Sequence, residues 1–272
     1  MQSLTCIRVS TKTQLDDALA VRWSVFGDEM GLVRAASGRE GDEWDTLETT
    51  IHWVAYCDDL PIATIRLLLP NPLAATLGGH RLGLPIEDQF DLSEVTCGGG
   101  SVSLAQAGRL CVLPRWRRSR ALHCLFGRMY RESRSFRVTH WLGAVNCDTD
   151  DPEDAAILYR VLRARGLVSE RWRSKLPRGS GSDRPISRPF YSAAARACAS
   201  AGDLDGLRLP PNVSLNVRKL GARGLGAPAM DHRFGMFSIP MVIDLDDVPP
   251  ETVGLEAPEA RDARDQLQEV AP

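Results

Sequence analysis

Three groups of residues in this chain have types and spacings that can do chemistry. Arg22 and Phe26 are four residues apart, which places them on one face of a helix. An arginine beside Trp23, Phe26 and Met30 needs an acidic partner unless it snorkels past the core edge to water. Next comes an acidic loop in which Glu40, Asp42, Glu43, Asp45 and Glu48 surround Trp44. Such a loop is either solvated or turns carboxylates inward, to pair with arginines or to receive a substrate ammonium. Arg66 and Arg109 stand in the apolar runs IATIRLLL and AGRLCV. A lone buried charge costs several kcal/mol, so each requires a counter-charge, and the acidic loop can supply it.

The third group is a block of arginines at 115, 117, 118, 120, 128, 131, 134 and 137, opposed by Glu132. Its front end falls at a strand-to-helix junction. Free backbone N–H groups and the helix dipole make such a junction a phosphate site, and guanidinium groups add bidentate donors. Arg128, Arg131 and Arg134 read as a solvated helix face. Arg117, Arg118 and Arg120 are the candidates for a phosphate or an acidic partner.

The elements that must carry these groups follow from periodicity and punctuation. Residues 4–10 read as a short strand. Thr13 to Gly31 reads as a helix capped by Thr13, with Leu15, Leu19, Trp23, Phe26 and Met30 at helical spacing and Gly31 as its stop. The runs 51–57 and 61–69 read as a hairpin turned at Asp58-Asp59. A proline- and glycine-marked stretch, 70–103, is expected to be mobile at Gly98–Gly100. The run 104–113 is a strand ended by Pro114, and Ser119 is expected to cap a helix to Phe136. A strand at 138–146 and a helix at 152–166, between Pro152 and Gly166, follow. Residues 171–189 read as a basic loop, 192–202 as a short helix, and 214–219 and 235–245 as strands. This order implies an α/β (α+β) protein with a mixed sheet flanked by helices. The expected organisation is one domain over 1–248 with a flexible insertion at about 168–212, then an acidic, loosely ordered tail over 249–272.

Bulk composition limits the function classes. Of the 272 residues 43% are apolar and 25% charged, a globular balance with material for a sizeable core. A formal charge of −2 argues against a nucleic-acid binder. The seven cysteines include no CxxC pair, so buried thiols are expected rather than disulfides or a metal site. No apolar run is long enough to span a bilayer, and MQSLTCIRVS lacks a signal-peptide core. A cytoplasmic protein is expected.

The ordered series Arg22-x-x-x-Phe26, Gly38-x-Glu40-x-Asp42-x-Trp44-Asp45, Arg66 and Arg109 in GRLCV resembles the acyl-homoserine lactone (autoinducer) synthases of quorum sensing. It is also similar to the N-acyl amino acid synthases. Both belong to the Gcn5-related N-acyltransferase fold. CVLPRWRRSRA resembles that fold's strand and phosphate loop, and LYRVLRARGL its LYxRxGF segment. The resemblance implies transfer of an acyl group from acyl-acyl carrier protein or acyl-CoA to the amine of a small metabolite. The acyl-phosphopantetheine thioester is then a co-substrate, with no tightly bound cofactor and no metal. Glu40, Asp42, Asp45 and Arg109 are the catalytic candidates. Arg22, Phe26, Trp44, Arg66 and Gln106 are the substrate-binding ones. Leu110, Val112, Arg117, Arg118 and Arg120 would meet the thioester carbonyl and its phosphate.

Two departures are informative. Leu32 stands where the autoinducer synthases have tryptophan, and Gln106 where they have glutamate. Glutamine cannot act as a general base. Both point away from homoserine lactone formation and leave thioester-to-amine transfer standing. The rival readings are an acetyl-CoA-dependent N-acetyltransferase and a non-catalytic ligand-binding module of the same fold.

Overall fold

A computed structural model describes residues 3–96, 102–176 and 186–255. The expectations for Gly98–Gly100, for residues 177–185 and for the tail beyond 255 lie outside the described residues. In chain order the elements are β1 (Leu4–Arg8), α1 (Lys12–Trp23), β2 (Thr50–Cys57), β3 (Leu60–Leu68), α2 (Pro72–Gly78), α3 (Ser93–Thr96), β4 (Leu104–Val112), α4 (Ala121–Ser135) and β5 (His140–Asn146). Then follow α5 (Pro152–Ala164), α6 (Ala193–Ser200), α7 (Pro211–Leu220), β6 (Arg223–Gly224), β7 (Ala229–Asp231), β8 (Met236–Asp244) and α8 (Pro250–Val253). The class is mixed α/β, with mostly antiparallel strands flanked by helices.

The chain forms two compact units. The first takes its described residues from Met1–Leu69, Ala107–Thr139 and Leu245–Pro272, the second from Pro70–Gln106 and His140–Asp244. In the first unit β1, β2 and β3 form an antiparallel meander. Asp58 adopts a left-handed conformation (φ 52°) at the β2–β3 turn, as the Asp-Asp hairpin signal implied. β4 follows β3 in the sheet, and just beyond it the Leu113 N–H donates to the Ile62 carbonyl at 2.9 Å.

Strand register decides which residues face which helix. Arg8 lies opposite Trp53, and its guanidinium reaches Glu132 of α4. His52 lies opposite Arg66 and bonds Arg22 of α1. Side chains alternate across a strand, so α1 and α4 cover different faces of this meander.

Local chemistry sets the helix ends. Thr11, not Thr13, caps α1: its Oγ1 accepts from the Gln14 N–H, and Gln14 Oε1 accepts from the Thr11 N–H, each at 3.2 Å. Gln14 stands three residues after Thr11, the spacing of a capping box, and Thr13 has no such partner. The helix widens into a π-helical turn at Ser24–Glu29 and stops at Gly31 (φ 61°). A β-carbon at Gly27, inside that turn, would lie 2.6 Å from the Trp23 ring.

Arg120, not Ser119, is the N-cap residue of α4, while Ser119 Oγ accepts from the Ala121 N–H at 3.2 Å. The start of the expected loose tail is packed. Val253 of α8 is buried, and its carbonyl would lie 2.5 Å from a β-carbon at position 127. Gly127→Ala must push α8 off α4. A loss of about 1–3 kcal/mol is expected in urea unfolding, whereas a loss below ~0.5 kcal/mol would mean that the close contact does not hold α8 in place.

In the second unit Leu104–Gln106 pair in parallel with His140–Leu142 of β5, and β5 pairs antiparallel with β8, which also holds β6 and β7. α5 begins at Pro152 behind the Asp151 cap, and Gly166 just past it takes φ 62°. Its Ile157 and Val161 pack on Tyr191, Ala199 and Leu207. The strand expected at 214–219 is instead helix α7. Val213 and Val217 suggest a strand by type, but Pro211 opens a helix and Gly221 (φ 68°) closes it, with Val213 and Leu220 buried. Among the described residues no helix is long and apolar enough to cross a membrane.

Candidate active site

The first unit gathers six of the candidate residues, together with His52, on α1, the acidic loop, β2, β3 and β4. Arg22 enters from the last turn of α1, and its side chain is fully buried. The loop is held to α1 by the Glu40 N–H, which donates to the Leu19 carbonyl at 3.1 Å. It is then folded on itself: Asp45 Oδ2 accepts from the Asp42 N–H at 2.8 Å and Asp42 Oδ1 from the Trp44 N–H at 3.1 Å. These Asx-type bonds turn the aspartates toward the sheet.

Each inward carboxylate meets guanidinium. Arg22 Nη1 donates to Asp45 Oδ1 at 2.8 Å. Arg66 Nη1 is shared between Asp42 Oδ1 at 2.5 Å and Asp45 Oδ1 at 2.6 Å. Arg109, entering from β4, reaches Asp42 Oδ2 at 2.8 Å and Glu40 Oε1 at 3.4 Å. Glu40 also lies 3.7 Å from Arg22. Three cations face three anions, so the cluster is electrically balanced. The side chains of Arg22, Glu40, Asp42, Asp45 and Arg66 are at most 3% exposed, whereas that of Arg109 is 17% exposed. Arg109 is therefore the member through which this cluster meets solvent.

His52 is the residue passed over. Its Nδ1 lies 3.0 Å from Arg22 Nη2, and its Nε2 lies 3.0 Å from the Asp45 carbonyl. A guanidinium only donates and a carbonyl only accepts, so the ring carries its proton on Nε2 and accepts at Nδ1. The signal was present in the sequence: a polar ring between Ile51 and Trp53 in an apolar strand needs partners as much as Arg66 does.

The electrostatics match this closed arrangement. Burial alone would raise the Asp42 carboxyl, but Arg66 and then Arg109 outweigh it and hold it below the usual carboxylate range. Burial is likewise outweighed at Asp45, where Arg22 and Arg66 hold the carboxyl well below that range. Burial, reinforced by Arg22, pushes His52 down to about 4. Asp42 and Asp45 are thus paired, ionised and poor proton acceptors at neutral pH. Of the two inward readings of the acidic loop, pairing with Arg22, Arg66 and Arg109 is the one the fold adopts.

The remaining candidates sit around or apart from this cluster. Phe26 packs against the buried group of Val21, Val25 and Cys111. Trp44 is buried, and its carbonyl accepts from Thr50 Oγ1 at 2.6 Å. Arg109 takes a left-handed conformation (φ 53°) within β4, immediately before Leu110 and Val112. That conformation costs a non-glycine residue roughly 1–3 kcal/mol and marks a break in the regular strand. Burial pushes the Cys111 thiol up to about 12, which removes it as a nucleophile. Gln106 belongs to the second unit, where its Oε1 accepts from the Ile86 N–H at 2.9 Å. Arg117 pairs with Glu29 at 2.5 Å and donates through Nε to the Val112 carbonyl at 3.2 Å. Arg118 and Arg120 are exposed between β4 and α4. Among the described residues no group of three or more His, Cys, Asp or Glu is placed to hold a metal ion.

The chain is similar to known N-acyltransferases. Residues 17–177 match the family model of the N-acyl amino acid synthase FeeM. The L-ornithine N(alpha)-acyltransferase of Agrobacterium fabrum is 20% identical over 246 residues, covering 86% of this chain and 78% of that protein. The structure of FeeM, from uncultured soil microbes, superposes with a TM-score of 0.55 at 9% identity, covering 91% of this chain and 93% of that one. A CoA-dependent acyl-homoserine lactone synthase, BjaI, aligns with a TM-score of 0.48 at 12% identity, covering 99% and 92%.

Proposed function

This chain belongs to the N-acyl amino acid synthase FeeM family, and on that premise we propose that it acylates the amine of an amino acid from an acyl carrier protein. It is an N-acyltransferase. The observation that supports the finer reading is the balanced cluster with one partly exposed arginine side chain. Arg109 is held by Glu40 and Asp42, and its side chain is the one of the six that is partly exposed. An amino-acid acceptor brings a carboxylate, the partner a guanidinium binds best. Ornithine, the substrate in the name of one relative, is the first acceptor to try.

In this reading Glu40 and Asp42 hold Arg109, and Asp45 braces Asp42 through the shared Arg66 guanidinium. The uncharged acceptor amine attacks the thioester carbonyl carbon, a C–N bond forms and the C–S bond breaks. The phosphopantetheine thiolate leaves and takes up, through water, the proton released by the nitrogen. The Leu110 and Val112 N–H groups, just past the break at Arg109, polarise the carbonyl oxygen. Holding amine and thioester together contributes up to about 7–11 kcal/mol.

Arg117, Arg118 and Arg120 receive the phosphopantetheine phosphate and the acidic face of the carrier protein, and the reaction takes place in the cytoplasm. Exposed arginines support a docking role because charges of this kind act on association and are screened by salt. Arg118→Glu with Arg120→Glu is expected to raise KM for palmitoyl-carrier protein on the order of tenfold, with a smaller effect on palmitoyl-CoA. An unchanged KM places the carrier protein elsewhere. Turnover with acetyl-CoA and none with the long-chain donors would instead assign an acetyltransferase.

A further inference from the structure

Every charged member of the cluster is matched by an opposite charge, and His52 is the titratable group inserted among them. Its ring faces Arg22 from α1, Arg66 from the adjoining strand, and the loop that carries Glu40, Asp42 and Asp45. Its two bonds link the Arg22 Nη2 donor to the backbone carbonyl of Asp45, beside the Glu40–Leu19 and Arg22–Asp45 bonds that also join α1 to the loop. The Asp45 carboxylate is held by arginines and the neighbouring Trp44 carbonyl by Thr50 Oγ1, whereas the Asp45 carbonyl is met by the His52 ring. We propose that His52 is a positioning residue that works only in its neutral form, pinning the acidic loop to α1 and thereby fixing Arg109 toward the acceptor.

Protonation at Nδ1 replaces the acceptor that Arg22 uses with a donor. It also places a fourth cation beside three guanidinium groups that have only three carboxylates to share. The Asp45 carboxylate, 3.8 Å from Nε2, is already engaged by Arg22 and Arg66 and has little capacity left. The ring's low pKa agrees with this cost. A group whose folded pKa is depressed stabilises the fold above its unfolded value, near 6.5. That contribution is lost as pH falls from about 6.5 toward about 4. The positioning of Arg109 rests on the N-acyltransferase reading above, but the neutral clamp does not.

The test compares the full chain with His52→Gln and His52→Phe. Glutamine supplies one acceptor and one donor without titrating, and phenylalanine supplies neither. In protein labelled with 15N-histidine, the signal missing from both variants is that of His52. It should report the neutral tautomer protonated at Nε2 down to about pH 5. The wild-type Tm should fall between pH 6.5 and 4.5 by on the order of 5 °C more than that of His52→Gln. With palmitoyl-carrier protein and ornithine, His52→Gln should retain most of the kcat/KM that His52→Phe loses. The rate of His52→Gln relative to wild type should rise as pH falls, by about twofold at pH 4, where half of His52 is charged.

A His52 that titrates near 6.5, or a His52→Gln melting profile parallel to wild type, overturns the clamp. A normal clamp with an unchanged relative rate across pH overturns its role in positioning Arg109. Absence of turnover in every chain, with the NMR and melting results as expected, counts against the N-acyltransferase chemistry and against Arg109 positioning while leaving the clamp supported.

Discussion

Arg66→Met will destabilise the protein by about 3–5 kcal/mol, because it leaves two buried carboxylates without their shared cation. Arg66 Nη1 bonds both Asp42 and Asp45, and none of the three side chains is more than 3% exposed. Methionine fills a similar volume, so the loss is electrostatic and not that of a cavity. The pH dependence identifies the cause. In the wild type the depressed pKa values of Asp42 and Asp45 contribute stability above the unfolded value near 3.9, and this is lost as pH falls below it. Without Arg66, burial is opposed among the arginines by Arg109 alone at Asp42 and by Arg22 alone at Asp45, so both carboxyls rise relative to the wild type and the variant loses less stability as pH falls. Unfolding by urea should therefore show Arg66→Met closing part of its deficit between pH 7 and pH 5. In a double-mutant cycle, Asp42→Asn should cost less in the Arg66→Met background than alone. A deficit below about 1 kcal/mol, independent of pH, would mean that water reaches these carboxylates and that the cluster is not a buried network.

Arg109→Ala will act on turnover far more than on stability. Its side chain is the partly exposed one, and Asp42 keeps its bond to Arg66 when Arg109 is gone. Loss of a preorganised charged donor at a reacting centre typically costs about 10²–10³ in kcat. A loss of that order is expected in kcat/KM for palmitoyl-carrier protein and ornithine, with a smaller change in unfolding free energy than Arg66→Met produces. Arg109→Lys should recover little, because an ammonium cannot present a planar pair of donors to a carboxylate. If Arg109→Ala and Arg66→Met instead reduce stability equally and activity only in proportion to folded protein, Arg109 is one more internal ion pair and meets no substrate.

Much of this site was readable in the chain because buried charge is an obligation. Arg66 and Arg109 in apolar strands required partners, the acidic loop could supply them, and the ion pairs among these residues are those the reading allowed. The Asp58 hairpin turn and the Pro152–Gly166 limits of α5 were likewise set by local chemistry. What escaped depends on choices made by distant groups. Thr11 and Thr13 are chemically equivalent as caps, and only the placement of Gln14 decides between them. Residues 214–219 carry strand-like side chains, but the limits at Pro211 and Gly221 and the packing of Val213 and Leu220 favour a helix. His52 was hidden in a strand that reads as apolar. Its importance emerges only when the hairpin register sets it opposite Arg66 and brings Arg22 onto its ring. The division of labour inside the acidic loop was also unreadable, since composition does not tell a carboxylate that receives a proton from one that holds a guanidinium.

The most direct measurement is untargeted mass spectrometry of lipophilic extracts from cells expressing this chain, against cells expressing an equal amount of folded Arg109→Ala. A new N-acyl amino acid with a long acyl chain is expected in the first extract, reduced on the order of a hundredfold or more in the second. Extracts that match each other and those of cells without the protein would contradict it.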